Sequence, residues 1–510
     1  MRIAVISALL TVFSAYPAVN FSQEAEALKV RAILESKCYY CHGEDGAAEG
    51  GVNYILSHSR LIKTGHIIPG EPNKSILYRQ VVLDDMPKDD DPLSAEEKAL
   101  IKNWITSGAK SFDAPAQTRE HIDPHKIYKL AAKDIQTLVE SRQPYTRYFS
   151  IAHLYNTGIS EDELQTYRAG LSKLVNSLSM GEKIVVPVAI DEKKLLFRID
   201  IQDYKWDPEM WRTVAAKYPY EVEYTIDEYA DLKRLTQSLL PIVNVDWFVA
   251  AASVPPIYHE LLQIPETVEV LEEDLFVNVN RNIERGRLVR AGFNGSGVSG
   301  NNRIIERHRS DNGYYWKSYD FDEVDGAASE RNIFEKPLGP GGPQGFTHDG
   351  GEIIYSLPNG LQAYMLIDGE GKRIDKGPIR IVQDNKRPDR QVVNGLSCMS
   401  CHSRGIIRKL DQIRPNVDSN PSSYEDIYGE DGLELLKLLY PKQDILDSWY
   451  DRDRESFAEA IDETGGTISD TEPIVTLAAL FEQELDLPRA AAESGLPIEE
   501  FARRIRRTPD

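Results

Sequence analysis

KCYYCHG at residues 37–43 and SCMSCHS at residues 397–403 hold every cysteine of a 510-residue chain: four, in two copies of C-x-x-C-H. Four cysteines can pair as disulfides in three ways, and an exported chain commonly spends them so. Disulfides account neither for the two-residue gaps nor for the histidine closing each motif, His42 and His402. A thioredoxin-like C-x-x-C needs a βαβ setting and no histidine, and a zinc site built from both motifs needs them to meet in space. One chemistry uses all three groups of each motif. In c-type haem attachment two thiols form thioethers to the porphyrin edge, and the adjacent histidine reaches the iron from the same face. Two covalently attached haem c groups are therefore expected, at Cys38, Cys41 and His42 and at Cys398, Cys401 and His402.

The surroundings of the first motif extend this reading. Upstream, EAEALKVRAILESK places Ala27, Val30, Ile33 and Leu34 on one helical face. Downstream, PLSAEEKALIKNWITSGA opens with a capping box, Ser94 with Glu97, and aligns Ile101, Trp104, Ile105 and Gly108. Between these helices DDMPKDDD carries Met86, the one methionine between the first residues and position 180. A thioether is a soft donor that favours reduced iron and raises its potential, so Met86 is the candidate sixth ligand of the first haem, with His58 and His66 as alternatives.

The run from KCYYCHG through HSRLIKTGHIIPGEPNKSILYRQVVLDDMPKDDDPLSAEEKALIKNWITSGA resembles the cytochrome c domain of planctomycete-type exported proteins. In that family an SLLYR-like helix, an MPP ligand loop and a WI-x-x-GA ending recur in this order. The resemblance covers residues 25–112, with Lys88 in place of the second proline of the loop. It implies an all-α class I-like cytochrome fold with His42 and Met86 as axial ligands. The rest of the chain resembles, loosely, the region that accompanies such cytochromes, for which the resemblance implies no activity.

The bulk numbers bound the alternatives. At ~150 residues per domain the length suggests about three units. Composition is ordinary for a globular protein, with 41% hydrophobic and 27% charged residues. The formal charge of -22, from 81 acidic against 59 basic side chains, opposes a phosphate backbone, so nucleic acid is not an expected partner. MRIAVISALLTVFSAYPAVNF reads as a signal peptide, residues 1–21, which predicts a periplasmic or otherwise exported protein with no stable membrane span.

After a polar linker the pattern changes. Residues 146–182 read as mostly helical, KIVVPVAI and LLFRIDI as strands, and the chain to about residue 290 as helical again. EIIYSLPNGLQAYMLID reads as a hairpin on a two-residue Asn359-Gly360 turn, which would set Met365 opposite Ile354. IRIVQD would continue a β meander into the second motif, and residues 425–507 read as helical. Gly295, Gly297 and Gly300 have G-x-G-x-x-G spacing, but the charged ERGRLVRA before them and the short NRIIERHR after them argue for a loop rather than a dinucleotide site.

For the second iron His348, in GFTHDGGE, is the candidate sixth ligand, ahead of His308 and Met365. Met399 lies inside its own attachment loop. The expected organisation is multidomain α+β: signal 1–21, cytochrome c domain 22–113, linker 114–145, mixed α/β domain 146–385, and second haem motif with a helical C-terminal region 386–510. The expected function is electron transfer with redox partner proteins. The alternative is a dihaem oxidoreductase of peroxidase-like type with an open second haem.

Overall fold

In the computed structural model the chain forms two compact units, Met1–Arg119 and Glu120–Asp510. The structure describes residues 18–43, 52–88, 91–112, 119–220, 223–295, 302–321, 333–340, 345–384, 387, 389–466 and 472–506. Residues 1–17 of the expected signal and residues 296–300 of the glycine loop lie outside them. No helix of the described residues is long and apolar enough to cross a membrane.

Among the described residues every regular element of the first unit is a helix. Its helices are Ala18–Lys37, Tyr39–His42, His58–Lys63, Ile76–Val82 and Ala95–Thr106. The face expected on the first helix is the buried one: Ala27, Val30, Ile33 and Leu34 enter a core with Leu61, Leu77, Ile101, Trp104 and Ile105. The capping box is formed in both directions. The Glu97 N–H donates to Ser94 Oγ at 3.2 Å and the Ser94 N–H to Glu97 Oε2 at 2.8 Å. Gly108 is not part of the helical stripe; it lies beyond the helix end with φ +104°, where a side chain would be strained.

The second unit holds two main sheets. The smaller has the order β2-β3-β1-β4, from β1 (Thr146–Ser150), β2 (Val188–Ala189), β3 (Leu196–Asp200) and β4 (Ile242–Asn244). β1 runs antiparallel to β3 and parallel to β4. The larger is an antiparallel meander of β5 (Val289–Asn294), β6 (Asn302–Ser310), β7 (Gly313–Asp320), β8 (Gly350–Ser356), β9 (Gln362–Asp368) and β10 (Arg373–Ile374). A two-stranded piece pairs β11 (Lys376–Gly377) with β12 (Val392–Val393).

Several expectations are corrected here. Residues 146–150 are a strand, KIVVPVAI contributes only β2, and IRIVQD is a turn. The expected linker 114–145 contains the helix Pro124–Ile135, whose Ile127, Ala131 and Ile135 are buried in the second unit's core. Residues 120–510 form one compact unit. Strand pairing ends at Ser356 and Gln362, and a further bond from the Leu357 N–H to the Leu361 carbonyl at 2.8 Å leaves three residues, 358–360, at the tip rather than two. Its register sets Ile353, not Ile354, opposite Met365.

The charged strand β6 was not legible as sheet. Arg303, Glu306, Arg307 and His308 are all buried, and each has a partner in the fold. Arg303 bonds Asp320 on β7 at 2.9 Å, and Arg307 makes two 2.8 Å bonds to Asp453 of the helix Gln443–Glu463. Pairing of this kind lets charged residues occupy a sheet interior.

Candidate haem sites

Positions i, i+3 and i+4 of a helix share one face, so a helical C-x-x-C-H presents two sulfurs and an imidazole together. Both motifs are helical. The His42 N–H donates to the Cys38 carbonyl at 2.9 Å, and the His402 N–H to the Cys398 carbonyl at 2.9 Å, closing the same turn in each. The four cysteines form no disulfide.

In both motifs the imidazole is oriented by a backbone carbonyl. Nδ1 of His42 donates to the Val52 carbonyl, and Nδ1 of His402 to the Gly405 carbonyl, each at 3.2 Å. A hydrogen bond at Nδ1 leaves the lone pair on Nε2, the tautomer a metal requires, and fixes the ring plane. Burial, then the neighbouring Cys41, pushes the Cys38 thiol up to about 11. Burial, then Glu352, raises Cys398 well above the ordinary thiol range.

Around the first motif Met86 is half-buried just after the helix Ile76–Val82, its N–H donating to the Gln80 carbonyl at 3.3 Å. His58 is engaged elsewhere: Nε2 donates to the Ala109 carbonyl at 2.6 Å, and its ring packs edge-on against Trp104 and Phe112. His66 pairs Nδ1 with Thr64 Oγ1 at 2.7 Å and stands edge-on to Tyr54.

The second motif sits against one face of the large sheet. Cross-strand partners share a face, and the pairs Phe293–Arg303, Ile305–Ser318, Trp316–Ile354 and Glu352–Leu366 place their side chains together. These residues line a cavity of about 380 Å³ into which Cys398, Cys401 and His402 also face. The turn 378–382 also lines it, through Pro378, Ile381 and Val382. The cavity is thus largely apolar, with Arg303, Lys317, Lys409, Asp320, Glu352 and Asp384 as its charged groups. Glu352 Oε2 lies 3.7 Å from His402 Nε2. Burial opposes the charge of Glu352, but the His402 imidazole holds its carboxyl below the usual range.

The attachment helix Leu396–Cys401 is anchored at its start. Gly395 has φ +83°, and a Cβ there would lie 2.5 Å from the Ser253 carbonyl oxygen. Asn394 bridges the Leu366 N–H and His259, and Ser397 Oγ donates to Asp384 at 2.7 Å.

The other expected ligands of the second iron are elsewhere. His348 is not among the lining residues; its Nδ1 donates to the Gly350 carbonyl at 3.1 Å and its ring meets Tyr319 edge-on. Both ring nitrogens of His308 are used, by Glu306 at 3.0 Å and Asn282 at 3.1 Å. Met365 pairs with Ile353 on the sheet face away from the cavity and is fully buried in the core. Glu352 on β8 and Arg303 on β6 were missed in the sequence because charge alternating along a strand reads as a solvated edge, and Lys409 because it lies in an irregular stretch with no motif around it. Protein-family profiles, curated proteins and solved structures were compared with the chain, and none of the three comparisons returned a match.

Proposed function

We propose that the chain is an exported dihaem c-type cytochrome acting in electron transfer, with haem c held by Cys38 and Cys41 and by Cys398 and Cys401, and with His42 and His402 as iron ligands. One observation carries the reading: each motif presents two thiols and a carbonyl-oriented imidazole on one helical turn. At the second motif those groups also face an apolar cavity. In this reading the first unit is a class I-like cytochrome domain with Met86 as sixth ligand.

Bound haem would supply reversible one-electron chemistry at iron. The residues of the chain do the rest. Val52 and Gly405 aim the two imidazoles; Ile305, Ile354, Leu366 and Ile381 keep water from the second site; Arg303 and Lys409 offer positive charge for carboxylates on a porphyrin edge. A dry surround of this kind keeps the reorganisation on electron transfer small and raises the weight of each nearby charge.

A second reading, a peroxidase-like oxidoreductase, is favoured by a specific feature. Among the described residues lining the second cavity His402 is the one histidine and no methionine is present, while the carboxylate of Glu352 is close at hand. An iron there would keep an exchangeable position, with Glu352 as a proton acceptor beside it.

A redox titration of the full chain followed by electron paramagnetic resonance tests both readings. Two one-electron transitions are expected. Met86→His should lower one midpoint by on the order of 100 mV, within the ~0.8 V over which axial ligands set haem potentials; an unchanged midpoint removes Met86 from the ligand set. The second ferric haem is expected to be high-spin and indifferent to His348→Ala. A low-spin signal lost in His348→Ala would instead make His348 the sixth ligand of a closed second site and remove the peroxidase-like reading.

A further inference from the structure

The second unit contains a second group of metal-type donors, remote in sequence from both C-x-x-C-H motifs. β1 and β4 run side by side in parallel, with Ser150 opposite Asn244 at their ends. Each strand passes directly into a helix, Ala152–Thr157 and Val245–Ala252. The second residue of each helix, His153 and Asp246, therefore lies at the same edge of the sheet. Glu493, the last residue of the helix Leu487–Glu493, joins them. His153 Nε2 is 2.9 Å from Asp246 Oδ1 and 3.9 Å from Glu493 Oε1, and one donor atom from each residue lies within 4.8 Å of the others.

Hydrogen bonding within the group does not satisfy it. His153 Nδ1, Asp246 Oδ2 and Glu493 Oε2 are buried without a hydrogen-bond partner, and the Asp246 side chain is only 1% exposed. One imidazole N–H can serve one of the two carboxylates. Each unsatisfied buried group costs roughly 1–3 kcal/mol, which is a reason to look for an occupant. Arg489 contributes positive charge nearby, but its Nη2 is directed to the Leu480 carbonyl at 2.9 Å. His153 and Glu493 line a separate cavity of about 610 Å³ whose walls include Arg147, Tyr218 and Tyr220. The group is thus closed on the protein side and open to that cavity on the other.

We propose that His153, Asp246 and Glu493 bind a single first-row divalent cation. One imidazole nitrogen with two carboxylate oxygens is a donor set that suits Mn²⁺, Fe²⁺ or Zn²⁺, with borderline and hard character together. A cation held by His153 Nε2 and the two carboxylates takes up carboxylate lone pairs that hydrogen bonding leaves orphaned and offsets their negative charge, the imidazole proton moving to Nδ1. The cavity leaves room for water or a small anionic ligand in the remaining coordination positions. This site is independent of the haem reading, so either can fail alone.

The experiment uses the full chain matured with its haems. Elemental analysis of the purified protein first counts metal in excess of haem iron. The protein is then treated with a chelator and titrated with Mn²⁺, free Mn²⁺ being followed by electron paramagnetic resonance. One Mn²⁺ per chain is expected. Loss of a direct ligand should exceed the ~10–100-fold effect typical of outer-shell changes, so Asp246→Asn should weaken binding by about 100-fold or more. Glu493→Gln, at the less buried position, should weaken it too and serves if Asp246→Asn does not fold; unchanged haem content and circular dichroism mark a folded variant. Absence of both excess metal and stoichiometric Mn²⁺ uptake, or uptake unchanged in a folded variant, would overturn the site.

Discussion

Serine at both Cys398 and Cys401 is expected to leave one covalent haem per chain instead of two, the survivor being the one attached at Cys38 and Cys41. The effect should reach beyond the haem count. Cys398, Cys401 and His402 face a cavity of about 380 Å³ that a porphyrin would fill. Left dry, that volume would cost roughly 9 kcal/mol at ~24 cal/mol per Å³. Water entering beside Arg303, Asp320 and Glu352 lowers the figure, because polar groups there can be hydrated. The variant should therefore unfold at clearly lower temperature or denaturant concentration than the native holoprotein. Cys38→Ser with Cys41→Ser should also remove one haem, but it should leave the transition of the second unit where it was. A double variant at 398 and 401 that retained two acid-resistant haems would dissociate the second motif from attachment.

Glu306→Gln should be the most damaging single substitution away from the haem motifs. Arg290 and Glu306 face one another on β5 and β6, and both side chains are fully buried. Arg290 gives Glu306 Oε2 two bonds, at 3.0 and 2.7 Å, and a third N–H to the Pro337 carbonyl. Glu306 Oε1 accepts from Tyr319 at 2.7 Å and from His308 at 3.0 Å. Glutamine keeps the shape and removes the charge, leaving a buried guanidinium uncompensated. Breaking such a pair costs about 3–5 kcal/mol, whereas replacing both partners by apolar side chains of similar volume can be near neutral. Chemical denaturation should thus show Glu306→Gln well below the native protein and Arg290→Met with Glu306→Met well above Glu306→Gln. Equal losses in the two variants would mean that packing, not charge pairing, dominates the site.

The same pair gives a pH dependence whose sign is fixed. Burial disfavours the charged form of Glu306, but the charge of Arg290 and then His308, with hydrogen bonds from His308 and Tyr319, holds its carboxyl far below the usual range. A carboxylate depressed on folding contributes stability that is fully present above its unfolded value of 4.5 and is lost as pH falls toward the folded value. Below about pH 4.5 the native protein should accordingly lose stability more steeply than the Arg290→Met, Glu306→Met variant.

The parts of the molecule legible in the sequence are those set by local rules. Ser94 and Glu97 announce a helix start because their bonds close within one turn, and the spacing of Ala27, Val30, Ile33 and Leu34 announces a buried face. The two C-x-x-C-H motifs were legible because their groups are sequence neighbours. Long-range packing hid the rest. The 357–361 loop takes its register from Asn359, whose side chain donates to the Asn176 carbonyl at 2.9 Å and accepts from the Leu361 N–H. No turn rule contains that contact. The burial of strand β6 was hidden because its charges are neutralised from other elements: Arg290 on β5, Asp320 on β7 and Asp453 on the helix Gln443–Glu463. His153, Asp246 and Glu493 are separated by 93 and 247 residues, so no spacing motif could connect them; the parallel pairing of β1 and β4 joins the first two, and packing of the helix Leu487–Glu493 against the helix Ala152–Thr157 brings the third.

Peptide mapping by mass spectrometry tests the two covalent haems most directly. The chain, matured in a host with haem-attachment machinery, is denatured and extracted with acidified acetone, which removes haem held only by coordination. It is then digested. The account predicts that the peptide spanning Cys38–His42 and the peptide spanning Cys398–His402 each carry one haem through two thioether bonds. Either peptide recovered with unmodified thiols, or with its cysteines joined as a disulfide, would contradict it.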